Sequence, residues 1–243
     1  YSNGKWVRIA KFTSGSNTSC RIIKLASNRA YKFRICAYKT FGKSALYSGY
    51  TKLTIYSVPT NVSSFTSGGT TSSTVKLNWR KNATADGYII QQYKNGKWVR
   101  IKKLTQNTKI SYTVTGLPAD STCKFRIQAY NFVEKKAVYS GFASLTVLTK
   151  PTVVASFRCA GKTGNALTLN WKKNSSASGY IIEQYKSGKW VRISKITKNT
   201  AVSYAVGNLK KNTAYNFRIK AYRTVNKSTA YSGYKTIKAT TSK

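Results

Sequence analysis

The sequence of 243 residues has no His, no Met and few acidic residues, which are Asp86, Asp120, Glu134 and Glu183. The absence of His excludes Ser-His-Asp and Cys-His catalytic groups and every metal site that needs an imidazole ligand. Four carboxylates placed far apart do not favour a two-carboxylate catalytic site or a hard-cation site. We therefore expect a protein that is not an enzyme and that needs no metal or cofactor.

Long apolar runs are also absent. No run approaches the roughly 18 apolar residues that a membrane-spanning helix requires, so we expect no membrane span. No charged and then apolar signal segment opens the chain, and no initiator Met precedes Tyr1. We expect Tyr1 to be a processed or truncated start.

Positive charge is abundant, because 43 Lys and Arg residues give a formal net charge of +39. Such a chain repels itself and needs counterions or an anionic partner. We expect the partner to be an anionic polymer, and the candidates are cell-wall teichoic acid, an acidic glycan and nucleic acid. The charge could instead reflect adaptation to a particular environment.

The chain is an internal repeat with a period of 92 residues. The segment from Tyr1 to Ile9 recurs from Tyr93 to Ile101 and again from Tyr185 to Ile193. Pro59 and Pro151 stand where one repeat passes to the next, and proline suits the end of a strand because it lacks an N–H. We predict a first repeat at 1–57, which lacks its N-terminal part, a second at 58–149 and a third at 150–243.

Apolar and polar residues alternate with a period of two in short runs, which predicts strands throughout. Asn95-Gly96 separates two such runs and predicts a tight hairpin, and Asn3-Gly4 and Ser187-Gly188 stand at the same place. About seven short strands in each full repeat predict an all-β fold of tandem immunoglobulin-like sandwiches.

The spacing of the apolar residues resembles that of fibronectin type III domains, most closely those of bacterial secreted and surface proteins. The residues that carry the resemblance are Leu77-x-Trp79, Gly87-Tyr88-x-Ile90, Tyr112-x-Val114-x-Gly116-Leu117-Pro118 and Phe125-Arg126-Ile127-x-Ala129-Tyr130, with Leu169-x-Trp171, Gly179-Tyr180-x-Ile182, Leu209 and Tyr215-x-Phe217-Arg218-Ile219-x-Ala221-Tyr222 in the third repeat. The resemblance implies a secreted or surface location and a spacer or adhesive function.

The resemblance also implies a tyrosine corner at the start of the sixth strand, where Tyr31 and Tyr215 fit. Cys123 replaces this Tyr in the second repeat, so we expect the corner to be missing there. The four cysteines occupy positions that do not match between repeats, which predicts four unpaired thiols. We expect Cys36 to be exposed and reactive, and Cys20 to replace a buried Tyr.

Residues 1–57 would supply strands C′, E, F and G of a sandwich, without counterparts of A, B and C. Two explanations stand. The start of the chain is an artefact of truncation, or another chain supplies the missing strands, as in donor-strand assembly.

Strand alternation predicts outward Arg and Tyr residues at steps of one repeat on the sixth strand. They form a candidate basic and aromatic stripe for a polyanion, together with basic residues near the hairpin. The candidates are Arg34, Tyr38, Arg126, Tyr130, Arg218, Lys220, Tyr222, Lys97, Arg100, Lys189 and Arg192. The alternative is that these side chains simply cover an exposed sheet.

Trp6, Trp98 and Trp190 follow the hairpin turns and could stack on sugar rings, or could pack over the edge of the sandwich. Three functions remain open. The first is an adhesive or spacer array that contacts anionic polymers. The second is the subunit of a surface fibre that self-associates through residues 1–57, and the third is an accessory glycan-binding module of a larger enzyme.

Overall fold

The computed structural model describes residues 1–243 and is all-β, with twenty strands and no helix. The predicted all-β fold is therefore confirmed. None of its elements is a helix of the length and apolarity needed to cross a bilayer. The chain forms two compact units. One consists of Tyr1–Phe65, Trp79–Ile110 and Arg126–Ser144, and the other of Thr66–Asn78, Ser111–Phe125 and Leu145–Lys243.

The first repeat contains four strands in two antiparallel pairs. β1 pairs with β4, and β2 pairs with β3. The bounds are Ala30–Ile35 for β1, Tyr38–Phe41 for β2, Ser44–Tyr47 for β3 and Thr51–Tyr56 for β4. One face of the β1–β4 pair is apolar and open, because Ile35 is 67% exposed and Leu53 is 60% exposed.

The second repeat contains eight strands. β5, β6 and β9 form one sheet, and β11, β10, β7 and β8 form another, in which β12 also pairs with β10. The bounds are Thr66–Thr70 for β5, Val75–Asn78 for β6, Gly87–Lys94 for β7, Lys97–Leu104 for β8, Ser111–Val114 for β9, Thr122–Val133 for β10, Lys136–Tyr139 for β11 and Ala143–Leu148 for β12.

The third repeat has the same strand order. β13, β14 and β17 form one sheet, and β16, β15, β18 and β19 form the other, in which β20 also pairs with β18. The bounds are Arg158–Lys162 for β13, Leu167–Asn170 for β14, Gly179–Lys186 for β15, Lys189–Ile196 for β16, Ser203–Val206 for β17, Ala214–Val225 for β18, Ser228–Tyr231 for β19 and Lys235–Thr240 for β20.

The core of the third repeat lies between its two sheets. Alternate residues of each strand point inward, as the period-two pattern predicts. Buried side chains of this core include Leu167, Leu169, Trp171, Tyr180, Ile182, Phe217 and Ile219. The third repeat is therefore a sandwich with a single apolar core.

The predicted hairpins are formed. Asn95 and Gly96 join β7 to β8 with φ values of 50° and 78°. Ser187 and Gly188 join β15 to β16 with φ values of 46° and 80°. Two consecutive residues of positive φ are the turn geometry that matches the twist of paired strands.

The strands C′ and E that we predicted for residues 1–57 are not formed, and that prediction was wrong. No strand lies between Trp6 and Arg29. In the second repeat the equivalent strands are β8, which pairs with β7, and β9, which pairs with β6. The first repeat has no counterpart of β6 or β7, so its C′ and E segments have no ladder to join.

All four cysteines are free, as predicted, but two of the predicted exposures were wrong. Cys36 is half-buried and Cys20 is exposed. Cys20 lies on the segment that would form strand E, and the absence of that strand leaves its side chain uncovered. The buried thiol is that of Cys123, at the position of the corner tyrosine.

Candidate functional site

The outer face of the larger sheet in the third repeat carries an arginine between two aromatic rings. The guanidinium carbon of Arg218 lies 4.5 Å from the ring centroid of Trp190 and 3.8 Å from that of Tyr234. Trp190 makes an edge contact with Tyr185, with centroids 5.2 Å apart. Both rings offer their electron-rich faces to the cation, which keeps its charge while its flat surfaces are covered.

The same arrangement recurs at steps of one repeat. Arg126 lies 4.4 Å from the Trp98 centroid and 3.8 Å from the Phe142 centroid. Arg34 lies 4.6 Å from the Trp6 centroid and 3.9 Å from the Tyr50 centroid. We call these three stacks the arginine sandwiches of Arg34, Arg126 and Arg218. They bring together two sets of residues that the sequence had suggested for separate ligands.

In the third repeat, neighbouring strands extend the arginine sandwich into a row across the sheet. Arg218 donates from Nε to Oε2 of Glu183 at 2.6 Å, and its Nη2 lies 2.5 Å from the same oxygen. Glu183 also stands opposite Arg192 in the register of β15 and β16. We call Arg192, Glu183 and Arg218 the third-repeat row.

The second repeat has an equivalent row with a neutral centre. Arg126 donates from Nε to Oε1 of Gln91 at 2.6 Å, and Gln91 stands opposite Arg100 in the register of β7 and β8. We call Arg100, Gln91 and Arg126 the second-repeat row.

The repeated Tyr-Ser-Gly-Tyr/Phe motif builds one side of each sandwich. The hydroxyls of Ser48, Ser140 and Ser232 each accept the N–H of the sixth strand at 2.9 Å, from Ala37, Ala129 and Ala221. Each serine also donates to the carbonyl of the following glycine. This pair of bonds fixes the chain beside the sixth strand, so that the last aromatic residue of the motif can stack on the arginine.

The tyrosine corner is present where it was predicted. The hydroxyl of Tyr215 accepts the N–H of Lys210 at 2.8 Å, and that of Tyr31 accepts the N–H of Ala26 at 2.7 Å. A second contact, which the sequence did not suggest, joins the same turn to the residue after the last strand. In the third repeat the Thr241 hydroxyl accepts the N–H of Thr213 at 3.0 Å and donates to the Lys210 carbonyl at 2.7 Å.

That second contact is common to all three repeats. Thr149 accepts from Ser121 and donates to Pro118, both at 2.8 Å. Ser57 accepts from Arg29 at 2.9 Å and donates to Ala26 at 2.7 Å. The sequence carries a signal for this contact, because a Ser or Thr hydroxyl recurs at the matching positions 57, 149 and 241.

Tyr130 and Tyr222 are buried, and the prediction that they are exposed parts of the stripe was wrong. They are 3% and 6% exposed. Each ring packs over a glycine of the adjacent strand, since a Cβ on Gly87 would meet Tyr130 at 3.0 Å and one on Gly179 would meet the Tyr222 hydroxyl at 2.9 Å. Burial is the main cause that raises the pKa of both phenols above 10.0.

Comparison with known proteins identifies the family. Residues 150–234 match the model of the fibronectin type III domain. The third repeat is a fibronectin type III domain. The second repeat has the same strand order and the equivalent strand registers.

One relative is the Kelch domain-containing protein SSO1033 of Saccharolobus solfataricus, which is 28% identical over 173 residues. The match covers 68% of this chain and 22% of that protein, so the chain spans about a fifth of the relative's length.

Solved structures with similarity include a segment of two fibronectin type III domains from chicken tenascin. Its TM-score is 0.47 at 17% identity, and the match covers 74% of this chain and 99% of that one. The FN1–FN3 domains of chicken CNTN1 give a TM-score of 0.37 at 19% identity, covering 88% of this chain and 78% of that one.

The other predicted polyanion residues differ in exposure. Lys97, Arg100, Lys189 and Arg192 are exposed. Lys220 is half-buried, with Nζ 4.8 Å from the Tyr231 centroid and 4.6 Å from the Tyr234 centroid. Tyr38 is half-buried and donates to the Phe12 carbonyl at 3.2 Å.

The chemistry available on this face is that of cations held in fixed positions. The structure contains no group of three or more His, Cys, Asp or Glu side chains that could hold a metal ion. A guanidinium stacked between two rings keeps the N–H groups at its edge, and these donate in the plane of the group to an oxyanion. Tandem fibronectin type III domains are typically spacers or adhesive modules without catalytic activity.

Proposed function

We propose that the chain is a non-catalytic extracellular array that contacts an anionic polymer through the arginine sandwiches. The observation that carries the proposal is the recurrence of a guanidinium stacked between two aromatic rings at Arg34, Arg126 and Arg218, on a chain of net charge +39. The sandwiches hold their arginines at regular intervals along the sequence, which suits a polymer that repeats its own charge.

The stacking rings favour a site with limited flexibility. A free arginine loses rotamer freedom when it binds an anion, at a cost of up to about 2 kcal/mol. Trp98 and Phe142 already hold the guanidinium of Arg126, so part of that cost is met during folding. The diffuse charge of the many surrounding lysines would attract the polymer, and the sandwiches would hold it.

The test is binding of the purified chain to teichoic acid, DNA and a neutral glucan, each across a salt series. The proposal predicts tight binding to one polyanion that weakens steeply with salt, as counterion release requires. Equal and weak binding to both anions, lost near physiological salt, would contradict it. Binding to the glucan that salt does not weaken would support the accessory glycan-binding function instead.

A matched set of variants separates the sandwiches from diffuse charge. Replacing Arg126 and Arg218 by Ser removes two charges, and replacing the repeat-equivalent exposed loop residues Lys81 and Lys173 by Ser removes two as well. We expect the arginine pair to lose more affinity than the lysine pair. Replacing the arginines by Lys keeps the charge, and a partial loss there would assign the remainder to the fork geometry of the guanidinium.

A second candidate function is self-assembly through residues 1–57, which the open apolar face at Ile35 and Leu53 favours. Exposed apolar surface of this kind is typical of interaction sites. Light scattering over a range of concentrations tests it. A monomer at every concentration would contradict the idea, and a polymer that dissociates on replacing Ile35 and Leu53 by Thr would support it.

A further inference from the structure

The second and third repeats differ at the centre of their rows in a way that changes the charge. Gln91 stands where Glu183 stands one repeat later. Both side chains accept the Nε–H of the sandwiched arginine at 2.6 Å. The Nε contact is therefore the same in both repeats, but the third-repeat row contains a carboxylate and the second-repeat row contains a neutral amide.

A second difference accompanies the first. The hydroxyl of Tyr234 donates to Oε1 of Glu183 at 2.9 Å, while Arg218 binds Oε2. Both oxygens of this carboxylate are thus paired within the domain. Phe142 replaces Tyr234 in the second repeat and has no hydroxyl to donate, which agrees with the absence of a carboxylate there. The third-repeat row therefore offsets one of its two positive charges internally, and the second-repeat row keeps both.

The acidic residues of the second repeat have contacts elsewhere. The carboxylate of Asp86 accepts the N–H of Phe132 at 2.9 Å, and that of Asp120 accepts the hydroxyl of Ser176. Glu134 lies in the turn that joins β10 to β11. The second-repeat row therefore places Arg100 and Arg126 on either side of a neutral amide, with no carboxylate between them.

We propose that the second-repeat row is the principal anion subsite of the chain, and that Glu183 closes the equivalent subsite in the third repeat. This inference rests on the proposed function. Glu183 contacts both Nε and Nη2 of the stacked guanidinium of Arg218, whereas Gln91 accepts from Nε of Arg126. In the second repeat an external phosphate accepts from the Nη groups of Arg126, and Arg100 contributes charge from the other side of Gln91.

The rings that flank Arg126 do not favour a polymer that carries bases. Proteins that bind single-stranded nucleic acid offer free aromatic faces on which bases stack. Here Tyr130 and Tyr222 are buried, and Trp98 and Phe142 stack on the guanidinium of Arg126. The row therefore suits a phosphodiester polymer without bases, of the poly(alditol phosphate) class.

The experiment uses the full chain and a fluorescent poly(glycerol phosphate) oligomer, titrated at several salt concentrations. Gln91→Glu, combined with Phe142→Tyr, copies the third-repeat row into the second repeat, so the chain already contains a folded example of the result. We expect affinity to fall roughly tenfold, the size expected for losing one charge-assisted contact. The salt slope should fall by about one unit, the share of one phosphate.

The control is Gln106→Glu, which adds the same charge at an exposed position outside the row. Gln106→Glu should lower the affinity for the oligomer less than the double variant does. Equal losses of affinity in the two variants would overturn the inference while leaving the proposed function intact.

The reverse change, Glu183→Gln, should raise the affinity for the oligomer by opening the third-repeat row. An unchanged affinity would contradict the inference. If the unmodified chain shows no salt-dependent binding, the proposed function itself fails. Tighter binding to single-stranded DNA of equal charge would overturn the choice of polymer.

Discussion

The phenolic oxygen of Tyr215 accepts a hydrogen bond from the backbone N–H of Lys210 at 2.8 Å, five residues earlier in the chain. This bond closes the turn before β18. The same turn is held from its other side by Thr241, which donates to the Lys210 carbonyl. Two side chains that are far apart in sequence thus satisfy the N–H and the C=O of one residue.

Removing the Tyr215 hydroxyl tests the value of the corner. Tyr215→Phe should lower the free energy of unfolding by about 1 kcal/mol, the typical net contribution of one hydrogen bond. Urea unfolding of the full chain provides the measurement. Tyr231→Phe is the control, because that tyrosine is exposed and its ring should remain in place. Equal effects of the two variants would mean that the corner contributes nothing to stability.

A glycine in the third repeat is required by close packing and not by backbone conformation. A Cβ on Gly179 would collide with the backbone carbonyl of Ile196 and would meet the Tyr222 hydroxyl at 2.9 Å. Gly179→Ala should therefore cost about 1–3 kcal/mol, as other overpacked sites do. Gly207→Ala is the matched control, since a Cβ there meets no atom within 4 Å. A thermal unfolding series should show a clear loss for the first variant and almost none for the second.

Local chemistry explains why the fold could be predicted. The turn residues Asn95 and Gly96 tolerate positive φ, and the alternation around Leu169 and Trp171 marks the inward face. Such signals act over a few residues and do not depend on the partner strand. The hairpins and the core of the third repeat were accordingly predicted correctly.

The arginine sandwiches of Arg34, Arg126 and Arg218 could not be predicted, because they depend on the register between strands. Trp190 and Arg218 are 28 residues apart, and alternation alone says that both point outward but not that they touch. Alternation also failed to show that the ring of Tyr222 bends over Gly179. In the first repeat, favourable strand residues remain unpaired because their partner strands are missing. In those segments of the first repeat, pairing with a partner strand and not the intrinsic strand propensity of the residues determines whether a strand forms.

The two classes of tryptophan should respond differently to truncation. Trp171 is buried, with its ring centroid 5.3 Å from that of Tyr180 and 6.5 Å from that of Phe157. Trp171→Ala should cost about 3–5 kcal/mol, the usual range for a core aromatic residue. Trp190 is half-buried and stacks on Arg218, so Trp190→Ala should cost less. Urea unfolding measures both, and equal losses would contradict the assignment of Trp171 to the core.

The buried phenol of Tyr222 predicts a loss of stability at alkaline pH. Burial, followed by the nearby Tyr231, raises the pKa of Tyr222 above 10.0 in the folded chain. Above the ordinary tyrosine pKa of about 10, the unfolded chain has lost this proton and the folded chain still holds it. The unfolded state then binds fewer protons, so stability falls as pH rises from about 10 to the folded pKa, whereas at lower pH the contribution is complete.

Tyr222→Phe isolates this contribution from the titration of the many lysines, which both proteins share. The variant should be less stable at neutral pH, because it lacks the hydrogen bond from the hydroxyl to the Ile196 carbonyl at 3.3 Å. The difference in free energy of unfolding between the unmodified chain and the variant should decrease as pH rises above about 10, since the variant has no phenol to titrate at this position. Tyr185→Phe, at an exposed position, should leave the alkaline loss unchanged. A difference in free energy of unfolding that stays constant across the alkaline range would show that burial does not raise the pKa of Tyr222.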